Sequence, residues 1–323
     1  MPASEDGNAI EILGLRKSYG DLMAVDGISL KVEQGELFGF LGPNGAGKTT
    51  TVNILTGVSL PTAGSATIHG HDVVRDSFRA KENLNVVPEV SNAYNEYTAW
   101  KNLMFTGALY GVPRKETARR AEELLRTFDL YDKRGAKVKG FSQGMRRKLV
   151  IAMALINEPR VLFMDEPTTG LDVQSVLTIR DLVRDLNRKG ITVFLTTHNL
   201  VEANLLCDRV AIINRGKIVA TDTPEKLKRA ARQVQVVEVT FDHMTLGTED
   251  GVASLAGIRE VSRQGDKLRL ITDEPSAAIS AVNRFADERG LAINYINTPG
   301  PSLEDVFVEL TGIAAPSKGG AER

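Results

Sequence analysis

Gly42-Pro43-Asn44-Gly45-Ala46-Gly47-Lys48-Thr49 follows directly on the apolar run Leu37-Phe38-Gly39-Phe40-Leu41. The eight residues fit the pattern G-x-x-x-x-G-K-[ST] in the setting that pattern needs, with a buried strand before it and a helix, predicted over Thr49 to Leu55, after it. Glycine lets the backbone turn tightly and aim successive N–H groups at a polyphosphate, and the helix N-terminus adds partial positive charge. Lys48 reaches the β- and γ-phosphates, and the Thr49 hydroxyl can ligate Mg²⁺. In a chain of this length a chance match arises at roughly one per cent. The stretch therefore marks a nucleoside triphosphate site, with Gly42 to Thr50 as candidate contacts.

Outward from the loop, apolar runs alternate with helical patterns. Val161-Leu162-Phe163-Met164, Ile191-Thr192-Val193-Phe194-Leu195 and Arg209-Val210-Ala211-Ile212-Ile213 read as buried strands. Helices are predicted over 142–157, 173–189 and 199–206, and the alternation indicates a mainly parallel α/β sheet. Residues 9–35 read as short strands and turns, and residues 98–131 as helical, broken at Gly111-Val112-Pro113. In the latter, Ala121, Leu124, Leu125 and Phe128 share one helical face. A charged stretch, Pro224 to Arg232, suits a linker helix. Strand and helix patterns restart beyond it and end in a helix over 302–311, with an apolar stripe of Leu303, Val306, Phe307 and Leu310. This is a small α+β unit of ferredoxin-like kind. The expected division is 9–222, a linker 223–233, a small unit 234–313 and a mobile tail 314–323.

Composition bounds the rest. The 323 residues suit two domains, and 40 Lys and Arg against 41 Asp and Glu leave a net charge of −1. That balance gives no global attraction to nucleic acid or membrane. The single Cys207 excludes an internal disulfide or a cysteine-rich metal site and reads as a small buried hydrophobe. No apolar run spans a bilayer, and the acidic start Met1-Pro2-Ala3-Ser4-Glu5-Asp6 lacks the core of a signal peptide. A cytoplasmic chain is expected, one that can still sit on a membrane by binding an integral partner.

Two further groups carry chemistry. The strand at 161–164 ends in Asp165 and Glu166. Asp165 can hold Mg²⁺ through water opposite Thr49, and Glu166, one residue on, can polarise an attacking water. Ser142 precedes a helix as a natural N-cap, where the dipole favours an anion.

With these residues in place, the chain resembles the nucleotide-binding subunit of ABC transporters over residues 9–222. The resemblance makes 42–49 the Walker A and Val161 to Glu166 the Walker B. Ser142-Gln143-Gly144-Met145 looks like a variant of the LSGGQ signature, which contacts ATP held by the opposite subunit. Tyr19 stands where the family stacks an aromatic on adenine. Thr169-Gly170-Leu171-Asp172 looks like the D-loop, with Asp172 linking the two sites, and His198 like the switch histidine at the γ-phosphate. Two departures stand out. The family places Gln as metal ligand and hinge where this chain has Glu89, after Val86-Val87-Pro88. The signature has Gln143 and Met145 where the family has Gly and Gln, while Ser142 and Gly144 remain. The ending from Thr298 to Gly312 is similar to that of ATPases serving ABC-2-type exporters, the drug-resistance, sodium-export and polysaccharide or lipid branch.

The resemblance thus implies ATP hydrolysis by a homodimer or heterodimer of ATPase subunits at the cytoplasmic face of the membrane. ATP and Mg²⁺ are its cofactors, and a separate integral permease subunit is its partner, docked near residues 89–100 with Tyr94, Tyr97 and Trp100. Other classes fit less well. A soluble ABC ATPase acting on nucleic acid or ribosomes usually has two cassettes or a long coiled coil between the Walker motifs. This chain has neither, and no basic stripe with interleaved aromatics. A regulatory module that holds ATP without turnover leaves Glu166 and His198 idle, and a phosphate-loop kinase leaves Ser142, Asp172 and His198 unexplained.

Overall fold

The structure, a computed structural model, describes residues 7–230, 235–245 and 247–312. The proposed tail 314–323 and linker positions 231–233 lie outside the described residues. The chain divides into two compact units, Met1–Thr223 and Pro224–Arg323.

In the first unit the strands are β1 (Asn8–Tyr19), β2 (Leu22–Glu33) and β3 (Leu37–Leu41), followed by helix α1 (Lys48–Leu55). Next come β4 (Ala63–Ile68), β5 (His71–Asp72), α2 (Ser77–Glu82) and β6 (Leu84–Val87). Helices α3 (Ala99–Leu109), α4 (Arg114–Thr127) and α5 (Gln143–Ala154) form a helical region, α3 packing on both others. The unit closes with β7 (Val161–Asp165), α6 (Val173–Arg188), β8 (Thr192–Thr197), α7 (Leu200–Leu206), β9 (Arg209–Asn214) and β10 (Lys217–Asp222).

One sheet runs β10-β9-β3-β8-β7-β6, parallel except for the edge strand β10. Its interior strands are continuous apolar runs because both faces are covered. Phe194 pairs with Phe38 on one side and Phe163 on the other, and their rings meet at 5.7 and 5.4 Å. These rings are fully buried and anchor the core under the loop 42–49. A second, antiparallel sheet runs β2-β1-β4-β5. Here the sequence misleads. The region read as short strands is two 12-residue strands, which run on through bulges at the left-handed Gly14 and Gly27. Thr196 and Thr197, read as lying after a strand, are the last residues of β8.

The second unit is α8 (Pro224–Ala230), β11 (Gln235–Phe241), α9 (Thr248–Ala253), β12 (Ile258–Gln264), β13 (Lys267–Thr272), α10 (Pro275–Arg289), β14 (Ile293–Asn297) and α11 (Leu303–Thr311). From β11 to β14 this is βαββαβ, an antiparallel sheet ordered β12-β13-β11-β14, the ferredoxin-like topology. Val237, Val239, Phe241, Leu268 and Leu270 face α10, whose Ala278, Val282 and Phe285 close the core. On α11, Leu303, Val306 and Phe307 are buried, whereas Leu310, expected in the same stripe, is exposed in the last turn.

Candidate functional site

The strand order assembles the site. In the sheet, β3, β8, β7 and β6 are neighbours and parallel, so their C-terminal ends open on one edge. Leu41 is level with Thr197, Asp165 with Thr196, and Met164 with Val87. Lys48 at the start of α1, Asp165 at the end of β7, and Glu166, His198 and Glu89 in the loops after β7, β8 and β6 all fall at this edge. Segments far apart in sequence thus meet outside the carboxyl ends of the strands, where open α/β sheets bind ligands.

The loop 42–49 is held by close packing. A Cβ on Gly42 would lie 2.4 Å from the Ile213 carbonyl oxygen, and one on Gly47 would lie 2.5 Å from that of Ala24. Gly47 also has φ 110, which side chains rarely adopt, so this position needs glycine twice over. Lys48 Nζ donates to the loop's own Gly42 and Pro43 carbonyls, at 2.6 and 3.2 Å. Its ammonium is buried, and burial pushes its pKa below the ordinary lysine value, while Glu166, Asp165 and Glu89 pull it back up. One cation therefore feels all three carboxylates. Thr49 is exposed at the helix start, Thr50 is half-buried behind it, and Asn44 and Gly45 are exposed. The donor set suits a polyphosphate: a lysine, a glycine cradle and the N-terminus of α1.

Asp165 Oδ1 accepts a hydrogen bond from Thr196 Oγ1 of the neighbouring strand. Glu166 follows at φ 46, left-handed for a non-glycine residue, with its N–H donating to the Thr196 carbonyl at 3.0 Å. Such strain persists only where surrounding contacts over-determine it. It turns the buried Glu166 carboxylate toward His198, with Oε1 2.8 Å from His198 Nδ1. Oε2 accepts from Thr169 Oγ1 at 3.2 Å and from Thr197 Oγ1 at 3.4 Å. The imidazole is half-exposed, so it faces both Glu166 and the open edge.

Ser142 caps α5, its Oγ accepting from Met145 N at 3.2 Å. Asp172 caps α6, accepting from Ser175 N at 2.9 Å and Ser175 Oγ at 2.7 Å, and these hydrogen bonds hold its carboxyl below the usual aspartate range. The two caps are neighbours: a Cβ on Gly144 would lie 2.4 Å from Ser175 Oγ. Ser142, Gln143 and Asp172 are exposed, free to meet a ligand or a second chain. Tyr19, half-exposed at the β1–β2 turn, has Lys17 Nζ 4.8 Å from its ring centroid. It sits apart from the carboxylates, on the strand pair whose Ala24 abuts Gly47.

Sequence reasoning missed Arg147. Its guanidinium is buried and donates to the Pro88 and Glu89 carbonyls at 2.6 and 2.8 Å, tying α5 to the loop that carries Glu89. Burial pushes its pKa down while Glu89 and Asp165 oppose the shift. One signal was available: Arg147 is a lone charge on the helix stripe of Gly144, Val150 and Ile151. Between these elements Glu89, Gln143, Arg147 and Thr169 line a cavity of about 210 Å³. Nearby, Tyr94, Tyr97 and Phe105 form an aromatic cluster with centroids 5.3 to 6.3 Å apart. Tyr94 and Tyr97 are exposed, as is Val90, while Trp100 is half-buried. Among the described residues no group of three or more His, Cys, Asp or Glu could hold a metal ion, and no helix is long and apolar enough to cross a membrane.

A family description, ABC transporter, matches residues 25–169. The chain is 38% identical over 304 residues to Nod factor export ATP-binding protein I of Ralstonia nicotianae, covering 94% of each chain. It is 37% identical over 304 residues to the daunorubicin resistance ATP-binding protein DrrA3 of Streptomyces coeruleorubidus, covering 94% of this chain and 96% of that one. Among solved structures, it superposes on an ATP-binding cassette captured as a dimer after hydrolysis, with ADP and phosphate bound. The TM-score is 0.60 at 26% identity, over 66% of this chain and 98% of that one.

Proposed function

Because the chain belongs to the ABC transporter family as an ATP-binding subunit, we propose that it hydrolyses ATP to drive export through a separately encoded integral membrane subunit, from the cytoplasmic face. The observation that carries this reading is the convergence on one sheet edge of Lys48 with Asp165, Glu166 and Glu89, and of Glu166 with His198. The names of the relatives, which speak of export and resistance, support the direction.

In this reading Gly42 to Thr50 wrap the phosphates and Lys48 leaves its loop carbonyls for the β- and γ-oxygens. Tyr19 stacks on adenine. Glu166 orients or deprotonates the attacking water, and His198 holds Glu166 while contacting the γ-phosphate. Thr49, Asp165 and Glu89 would hold Mg²⁺, since hydroxyl and carboxylate oxygens are the donors a hard cation takes. Mg²⁺, when bound, supplies charge neutralisation at the transferring phosphoryl group. A chain with one phosphate loop and one signature completes its site from a second copy or a paralogue. Ser142, Gln143 and Gly144 then meet the partner's ATP, and Asp172 links the two sites. The division is an ATPase body 9–222, a linker 223–233, an accessory unit 234–313 and a tail 314–323. The exposed Tyr94–Tyr97 cluster is the docking surface for the membrane subunit.

Purification from native membranes in mild detergent tests the reading. A multispan membrane protein in stoichiometric amount is expected. Recovery with ribosomal or DNA-bound partners would instead favour a soluble ATPase acting on nucleic acid.

Glu89 brings a negative charge toward the γ-phosphate where the family has a neutral amide. Glu89→Gln is expected to tighten Mg·ATP binding by about fivefold, the effect of removing one like charge a few ångströms away in solvent. Equilibrium nucleotide binding and turnover measure it; unchanged values for both would refute the charge argument.

A further inference from the structure

A second buried carboxylate stands one hydroxyl away from Glu166. Glu202, on α7, is fully buried, and its Oε2 accepts from Thr197 Oγ1 at 3.1 Å. The same hydroxyl lies 3.4 Å from Glu166 Oε2 and accepts from Asn199 N at 3.0 Å. Opposite, Arg180 of α6 places Nε 3.6 Å from Glu202 Oε1, and neither atom has a hydrogen-bond partner among the described residues. The ion pair is therefore loose, and stability alone is a weak reason to bury it. The well-formed contacts of Glu202 are hydrogen bonds from hydroxyls, Thr168 and Thr197, and the second of these leads to Glu166.

Hydrogen-bond arithmetic sharpens the point. The Thr197 hydroxyl has one proton and faces two carboxylates. The proton it gives to one is withdrawn from the other, so the hydroxyl couples the two. Burial raises the pKa of Glu202, with Thr168, Arg180 and Thr197 opposing and Glu166 adding to the rise. Asn199 N–H fills one lone pair of the Thr197 hydroxyl, whose single proton then lies between Glu202 and Glu166.

We propose that Glu202 is a positioning residue for ATP hydrolysis, fixing the Glu166 carboxylate through the Thr197 hydroxyl, with Arg180 flanking it from α6. This rests on the reading of Glu166 as the group that activates water. Steady-state turnover and binding of a fluorescent ATP analogue test it, on Thr197→Val and Glu202→Leu with their conservative counterparts Thr197→Ser and Glu202→Gln. Each variant is made alone and in a Glu166→Gln background. Thr197→Val and Glu202→Leu are expected to lower kcat about tenfold, the worth of one hydrogen bond to a charged group, with ATP affinity unchanged. The conservative variants recover most of the rate, and none costs more once Glu166 is Gln. Parental kcat in both Thr197→Val and Glu202→Leu would overturn the proposal, as would losses that multiply in the Glu166→Gln background. Parallel losses of affinity and rate would assign both residues to packing alone. If Glu166→Gln by itself turned over like the parent, the reading of Glu166 would fall instead.

Discussion

Glu166→Gln is expected to lower ATP turnover by at least about a hundredfold, the contribution of a positioned general base, while ATP still binds. The amide keeps the size of the side chain and can still reach Thr169, Thr197 and His198. It cannot take a proton from water. Nucleotide sandwiched between two subunits would then persist, so size-exclusion chromatography with ATP should reveal a dimer that the parent shows only transiently. Phosphate release at the parental rate would remove Glu166 from the chemistry and leave His198 as the next candidate base.

The second large effect lies in the small unit. Arg269 on β13 is largely buried and pairs with Asp305 of α11, with Glu238 of β11 3.8 Å from its other nitrogen. Asp305 also closes the capping box of α11, accepting from Ser302 N and Ser302 Oγ, each at 2.7 Å. Arg269→Ala leaves the partly buried Asp305 without its cation and Glu238 with Lys267 alone, 3.7 Å away, at a cost of about 3 kcal/mol, the low end for breaking a buried pair. Hydrogen exchange should show α11 and β13 losing protection, while β3 and β7 keep theirs. Equal protection in both proteins would mean that water or a neighbouring cation replaces Arg269.

What the sequence made legible follows the range of the forces involved. The loop 42–49 is contiguous, and its neighbours on the chain dictate its strand and helix. The parallel strands declare themselves as apolar runs because both faces are covered. Of the pieces that hid, two show the physical reason plainly. The edge strand β10 alternates half-buried and exposed residues, with no strong pattern. The short α9 carries Gly251, a poor helix former, because the Phe285 ring would lie 2.6 Å from any Cβ there. The candidate site was legible where one residue's chemistry announces it, at Lys48, Asp165, Glu166 and His198. Arg147 and Thr197 stayed hidden because their partners, Glu89 and Glu166, are dozens of residues away. Burial of a polar side chain on an otherwise apolar helix face is the trace left at Arg147 and Glu202.

The contact between Gly144 and Ser175 also couples the side chains these two positions can accept. Ser175 is pinned by Asp172 through both its N–H and its hydroxyl, and that hydroxyl fills the space a methyl on residue 144 would need. Drift at one site is therefore conditional on the other: residue 144 can enlarge in a descendant only after residue 175 has shrunk or lost its grip on Asp172.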